Sequence, residues 1–288
     1  MGRSVWRRLT SYRRSKISKN GEININVKSR QYEKKSDVDI REIKRQKTDD
    51  IPEISPVVVE NVSLLSRISV PPSIEESRPG VIFVFEQASL VLAKINKSYQ
   101  IINPDEHAGF IRKHNLNRRD YRPDIIHEVL KRLLGRPLSM AGEIQAIYVK
   151  TIQGYLIKIE PTLAIPPTLK LFCAMISQLF QNLSIKGSGR HKNRKLLQMI
   201  KNPVTMHLPP GSYKIGLSSS SFKAVNLGEY FGAIGNDRTL VFVIGAMAHG
   251  KIENEYVDDF IAVSGLPLSA RVCVSLICDE LERQRSIL

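Results

Sequence analysis

VFVIGAMAHGKIENEYVDDFIAVSGLPLSA, Val241 to Ala270, is the stretch whose reading decides the fold. An apolar run, Leu240 to Ile244, stops at Gly245; a second glycine follows at Gly250, and Ser-Gly-Leu-Pro-Leu-Ser at Ser264 to Ser269 opens the last amphipathic segment. An extended apolar run that ends in glycine brings peptide N–H and C=O groups to a rim with no Cβ in the way. That rim suits a ligand whose adenine and amino-acid ends both need main-chain partners. A buried strand with an ordinary glycine turn has the same local signature, so the longer pattern has to decide. GAMAHG is neither G-x-G-x-x-G nor G-x-x-x-x-G-K-[ST], which counts against dinucleotide or ATP phosphates as the ligand.

Working outward, 288 residues with 42% apolar content have room for one large domain or two small ones and for a sizeable core. No apolar run approaches the roughly 18 residues that span a bilayer, and MGRSVWRRLTSYRR lacks the apolar centre of a secretory signal. An intracellular protein is expected. Cys173, Cys273 and Cys278 form no C-x-x-C pair and the histidines no H-E-x-x-H, so no metal site is indicated and buried, reduced thiols are expected. The formal net charge is +15 and it is divided along the chain. Residues 1–47 carry 15 Lys/Arg against 5 Asp/Glu, residues 48–79 carry 2 against 6, and residues 80–288 carry 26 against 17. Tail and body are each basic, which points to a polyanionic partner; without a basic amphipathic helix backed by a large apolar face, nucleic acid is favoured over a membrane.

Residues 1–79 are rich in Lys, Arg, Ser, Asn and Glu and are broken by five prolines, so they are expected to form a disordered basic extension. KRQK at Lys44 to Lys47 and RRSK at Arg13 to Lys16 are clusters of the kind that nuclear import reads, a weak signal in any basic tail. The folded domain is expected over 80–288. VIFVFE from Val81 predicts a buried strand, and Glu106 to His114 a short helix. Pro123 opens a helix, IIHEVLKRLL, with Gly135 as its stop. IQAIYVKT and YLIKIE predict two strands around a turn at Gln153-Gly154. LKLFCAMISQLFQNL, Leu169 to Leu183, predicts a helix apolar around most of its circumference and therefore buried in the core or an interface. A basic stretch from Lys186 to Lys201 follows, then strands SYKIGLS and VFVIGA and two terminal helices; the class is α/β.

YRPDIIHEVL (Tyr121 to Leu130), IKNPVTMHLPPGSYKIGLS (Ile200 to Ser218), VFVIGAMAHGKI (Val241 to Ile252) and SGLPLSA (Ser264 to Ala270), in this order, resemble the ribosome-biogenesis methyltransferases of the SPOUT class. Those enzymes methylate N1 of a pseudouridine in small-subunit, 18S-type rRNA. The resemblance runs from about Gly80 to Leu288. It implies an α/β sheet with helices on both faces and a C-terminal trefoil knot, a rare exception to unknotted connectivity. It implies S-adenosylmethionine against Leu217, Gly245, Gly250, Val263, Ser264, Gly265, Leu266, Pro267 and Leu268. Arg122 and Asp124 are implied as the catalytic pair, Arg122 offering a fork of donors to the RNA and Asp124 holding that fork, with positioning placed ahead of proton removal. Taken by their spacing alone, they are equally a first-turn helix acid and its exposed neighbour. Arg122, Lys97 and Lys170 are the implied RNA contacts. A homodimer, pre-ribosomal assembly factors as further partners, and a nuclear and nucleolar location complete the expectations; the helices at Leu169 and around Cys273 and Cys278 suit a dimer interface or the core alike.

The chain departs from the family at one segment. Where relatives carry Arg-Ile-Pro-Arg-Thr-Phe-x-Arg-Phe, this sequence reads AIPPTLKLF, so Ala164, Pro167 and Leu171 stand at the three arginine positions and Lys170 alone supplies charge. Each missing phosphate contact lowers the salt slope for single-stranded RNA by about 0.7. The basic tail and the Lys186 to Lys201 stretch are candidates to replace the contacts. The alternatives are methylation of another RNA, or a catalytically impaired paralogue acting as a non-enzymatic RNA-binding or assembly factor.

Overall fold

The structure is a computed structural model that describes residues 79–188, 192–218, 224–250, 252 and 256–287. The tail expected over 1–79, with both basic clusters, lies outside these residues apart from Pro79. Strand β1 (Val81–Ala88) is the centre of an eight-stranded sheet, followed in the chain by the small hairpin β2 (Leu92–Ile95) and β3 (Ser98–Ile101). The rest of the large sheet comprises β4 (Ile144–Thr151), β5 (Leu156–Ile159), β6 (Ser184–Lys186), β7 (Lys195–Ile200), β8 (Tyr213–Leu217), β9 (Leu240–Gly245) and β10 (Asp259–Ile261). Across the sheet the order is β10-β8-β9-β1-β4-β5-β7-β6. The first five strands in that order run parallel and the remaining pairs antiparallel.

Period-two alternation explains why β1 is central. Val81, Phe83 and Phe85 enter the large core cluster, while Ile82 and Val84 enter a smaller one on the other face. A strand buried on both faces reads as a continuous apolar run, as VIFVF and LVFVI do. Phe83 and Phe242 stack at 5.5 Å across β1 and β9. Truncating either ring to alanine would cost about 3–5 kcal/mol.

The helices are α1 (Ala108–Lys113), α2 (Pro123–Leu134), α3 (Pro137–Met140), α4 (Leu169–Asn182), α5 (Leu227–Ile234) and α6 (Ala270–Gln284). In α2, Pro123 is at the first position and Asp124 in the first turn, and the buried stripe is Ile126, Val129, Leu130 and Leu133. The Thr168 hydroxyl accepts the Leu171 N–H to start α4, and Leu183 in the left-handed region ends it. This helix is less uniformly buried than its composition implies. Phe172, Cys173, Ile176 and Leu179 face the core, while Lys170, Leu171 and Gln178 are exposed. Cys273 and Cys278 on α6 are likewise in the core.

Three expectations change. Among the described residues α2, α4, α5 and α6 all pack on the face of the large cluster; the opposite face, expected to carry helices too, has only the short 3-10 helix Val204–His207 together with Ile252, Tyr256 and Val257. A single helical turn and irregular chain cover that smaller face, and neither leaves a periodic signal in sequence. Of the two helices expected after VFVIGA, α5 precedes β9 and, among the described residues, only α6 follows it, with β10 between. The basic stretch forms part of the β6–β7 edge, and Arg194 there pairs with Glu160 at 2.7 Å. That edge lies four strands from β9, roughly 20 Å.

Candidate functional site

The C-terminal ends of β8 and β9, the chain after β10 and the start of α6 enclose a cleft of about 450 Å³. Ligands commonly bind outside the carboxyl ends of parallel strands, and this volume is in the range of small-molecule sites. Leu217, Gly245, Gly250, Val263, Ser264, Leu266, Pro267 and Leu268 all line it; of the residues expected there only Gly265 is off its wall. The glycines have separate reasons. A Cβ on Gly245 would come within 3.1 Å of Met247 and 3.4 Å of Ile252, narrowing the cleft. Gly250 has φ +123°, a conformation that L side chains rarely adopt.

Arg122 also lines the cleft. Its position is fixed by the chain just before α2: the buried Ser89 hydroxyl accepts the Arg122 N–H at 3.0 Å and donates to the Asp120 carbonyl at 2.6 Å. Arg122 Nε donates to Asp124 Oδ1 at 2.8 Å and Oδ2 at 3.2 Å, and Nη2 to Oδ2 at 2.7 Å. This is a two-pronged ion pair between half-exposed side chains, and the bond to Asp124 raises the guanidinium pKa further. Asp124 is absent from the wall itself; it touches Arg122, which is on it.

Met247, His249 and Cys273 line the cleft without having been singled out as site residues. The first two fall inside GAMAHG, so proximity to Gly245 was the available signal; Cys273 faces the cleft only because α6 turns back across the strand ends. Burial pushes the Cys273 thiol up to about 11, which leaves it protonated and inert near neutral pH.

A second hollow lies between the β2–β3 turn and α1, and neither Lys97 nor Lys170 is on its wall. Lys94, Asn96, Glu106, Lys113 and His114 are on its wall. Lys97 follows Asn96 in the turn, and Lys170 Nζ is 2.9 Å from Glu106. Tyr121, beside Arg122, packs with Phe110 and Ile111 of α1. Residues 94–122 carry seven Lys/Arg against three Asp/Glu. The AIPPTLKLF segment is held against α2, where the Pro166 carbonyl is 2.8 Å from His127 Nε2 and the His127 ring stacks on Phe172 at 4.8 Å. Ala164, Pro167 and Leu171 are all exposed.

Residues 83–282 match the family described as EMG1/NEP1 methyltransferase. The chain belongs to the EMG1/NEP1 methyltransferase family. It is 36% identical over 202 residues to the mouse ribosomal RNA small subunit methyltransferase NEP1, covering 70% of this chain and 80% of that one. The Caenorhabditis elegans protein nep-1, named likewise, is 36% identical over 207 residues, covering 72% and 88%. The crystal structure of Archaeoglobus fulgidus Nep1 bound to S-adenosylhomocysteine matches with a TM-score of 0.57 at 20% identity, over 72% of this chain and 99% of that one. That likeness shows a shared fold. Within the EMG1/NEP1 frame, both the cleft and the Arg122–Asp124 fork lie inside the matched residues, and so does the substituted segment Ala164 to Phe172.

Proposed function

We propose that this chain transfers the methyl group of S-adenosylmethionine to N1 of a pseudouridine in small-subunit rRNA, as a homodimer acting in small-subunit assembly in the nucleolus. The observation that carries this reading is one shared cleft, lined together by Gly245, Gly250, Val263, Ser264, Leu266, Pro267, Leu268 and Arg122. The relatives' names supply the rRNA, and the basic residues 94–122 are compatible with that polyanion.

The residues present fit the cofactor. Leu217, Leu266 and Leu268 offer apolar wall, and the turn around Ser264 and Pro267 offers main-chain groups. When bound, the cofactor supplies a methyl group already activated by its sulfonium. What remains for the protein is placement. Arg122 directs its remaining donors at a phosphate or a uracil carbonyl, because Asp124 holds one edge of the guanidinium still. Both Asp124 oxygens accept from Arg122, so Asp124 acts as a positioning residue in place of a free base. The target base has to leave its stack to enter the cleft, and contacts between basic surface and RNA offset that cost.

An intact cleft favours this reading over the non-enzymatic alternative. The test is tritiated methyl transfer to a pseudouridine-containing rRNA hairpin, with Gly245→Val as the control. Transfer by the wild type and loss of both S-adenosylhomocysteine binding and transfer in Gly245→Val are expected. Binding of cofactor and RNA at saturation with no transfer would overturn it.

A further inference from the structure

Glu86 is a glutamate at 3% exposure that the methyl transfer described above does not use. It ends the regular part of β1, where the pairing with β4 becomes irregular between Phe85 and Ala88 and where Gln87 takes a left-handed φ of +56°. Across the sheet it pairs with Gly245, the glycine on the cleft rim, and its carbonyl accepts the Ala246 N–H at 2.8 Å. Its side chain points to the face opposite the helices. There Oε1 accepts from the Tyr256 hydroxyl at 3.0 Å, and Oε2 is 3.4 Å from Lys150 Nζ.

Those partners matter because of where they sit in the chain. Between β9 and β10 in the chain, Met247, His249, Gly250 and Ile252 line the cleft. Ile252, Tyr256 and Val257 pack against the cluster that holds Val84 and Val243. Glu86 therefore bonds to the chain on both sides of these cleft residues, by its carbonyl at Ala246 and its carboxylate at Tyr256. Burial, then the Glu86 charge, pushes the Tyr256 phenol up, so it stays a donor across the neutral range.

We propose that Glu86 is a positioning residue for cofactor binding, its carboxylate clamping Tyr256 so that Met247, His249, Gly250 and Ile252 hold the cleft at the width the cofactor needs. This rests on the reading of the cleft as the S-adenosylmethionine site. Lys150 neutralises the buried carboxylate without touching the wall. A carboxylate is suited to the task because its two oxygens serve both partners at once, whereas a carboxamide keeps only the acceptor for Tyr256.

The experiment uses the full chain and S-adenosylhomocysteine as calorimetric probe. Tyr256→Phe removes one oxygen and leaves the ring packed; its Kd should rise roughly tenfold, the value of a hydrogen bond to a charged group. KM for S-adenosylmethionine should rise in parallel, with kcat at saturating cofactor and KM for RNA unchanged. Glu86→Leu should match or exceed that loss, and Glu86→Gln, which still accepts from Tyr256, should return Kd to within about threefold of wild type. Wild-type affinity in Tyr256→Phe, with or without a lowered melting temperature, would overturn the proposal and leave the pair as ordinary core bonding. Failure of the wild type itself to bind the probe would instead overturn the reading of the cleft.

Discussion

Asp124 holds Arg122 without lining the cleft itself. It spans two donors of Arg122 from the first turn of α2, and the helix dipole favours its charge there. Asp124→Ala leaves the arginine in place and frees its torsions. A displacement of about 1 Å in such a group costs on the order of hundredfold. We therefore expect kcat/KM for RNA to fall about a hundredfold while calorimetric Kd for S-adenosylhomocysteine changes less than about threefold. The three thiols make a second prediction at this scale. Burial pushes Cys173 and Cys278 up to about 12 and Cys273 to about 11, against an ordinary 9.0. Raised folded pKa values mean that the unfolded chain loses these protons first as pH rises. The thiols' contribution to stability is therefore present below pH 9 and declines above it, so the melting temperature should be lower at pH 10.5 than at pH 8. Cys→Ser substitution at Cys278 should reduce that slope.

At the scale of elements, α6 is tied to the end of α2 by charge as well as by packing. Arg136, 9% exposed, donates through Nε to Glu282 at 3.0 Å and also bonds Asp279; Glu282, fully buried, accepts the Leu138 N–H at 3.0 Å. Removing one partner strands the other charge in the core. Arg136→Met should lower stability by about 3–5 kcal/mol in urea denaturation. Nothing in the sequence pairs Arg136 with a residue 146 positions on. The elements themselves were far more legible. IQAIYVKT begins and ends where β4 does, and Pro123 starts α2 as its chemistry requires, because alternation and capping are local signals. The short strands β2, β3, β6 and β10 escaped, being three or four residues long, and β7 escaped because its residues read as part of a basic stretch. The cleft residues were legible through a family resemblance, not through spacing. Met247 and His249 became visible only once the strand ends were assembled.

The substituted segment belongs to the same scale. Ala164, Pro167 and Leu171 are exposed beside α2, so arginines there would reach solvent without disturbing the core. Lys170, the remaining cation, already faces Glu106 at 2.9 Å. Restoring all three as Ala164→Arg, Pro167→Arg and Leu171→Arg should steepen the dependence of log K on log salt by about 2 for single-stranded RNA. Filter binding between 50 and 200 mM KCl, as the chosen range, reads that slope. An unchanged slope would place the RNA path away from this segment.

At the scale of the molecule, the sheet separates two tasks along its width. The cleft is at the β8–β9 end, and the basic β6–β7 edge is at the other. Around the β2–β3 turn and α1, Lys94, Lys97 and Lys113 are exposed, and Tyr121 beside Arg122 packs with Ile111 of α1. Arg194 of the Lys186 to Lys201 stretch pairs with Glu160, four residues before Ala164, so that stretch and the α1 surface are both candidates to replace the arginines beside α2. This arrangement makes a single demand on experiment: cofactor cleft, Arg122 fork and basic α1 surface have to serve one reaction. The most direct measurement is tritiated methyl transfer from S-adenosylmethionine to matched hairpins carrying pseudouridine or uridine at the target position. The account predicts transfer to the pseudouridine hairpin alone, abolished by Arg122→Ala. No transfer to either hairpin, with both ligands bound at saturation, would contradict it.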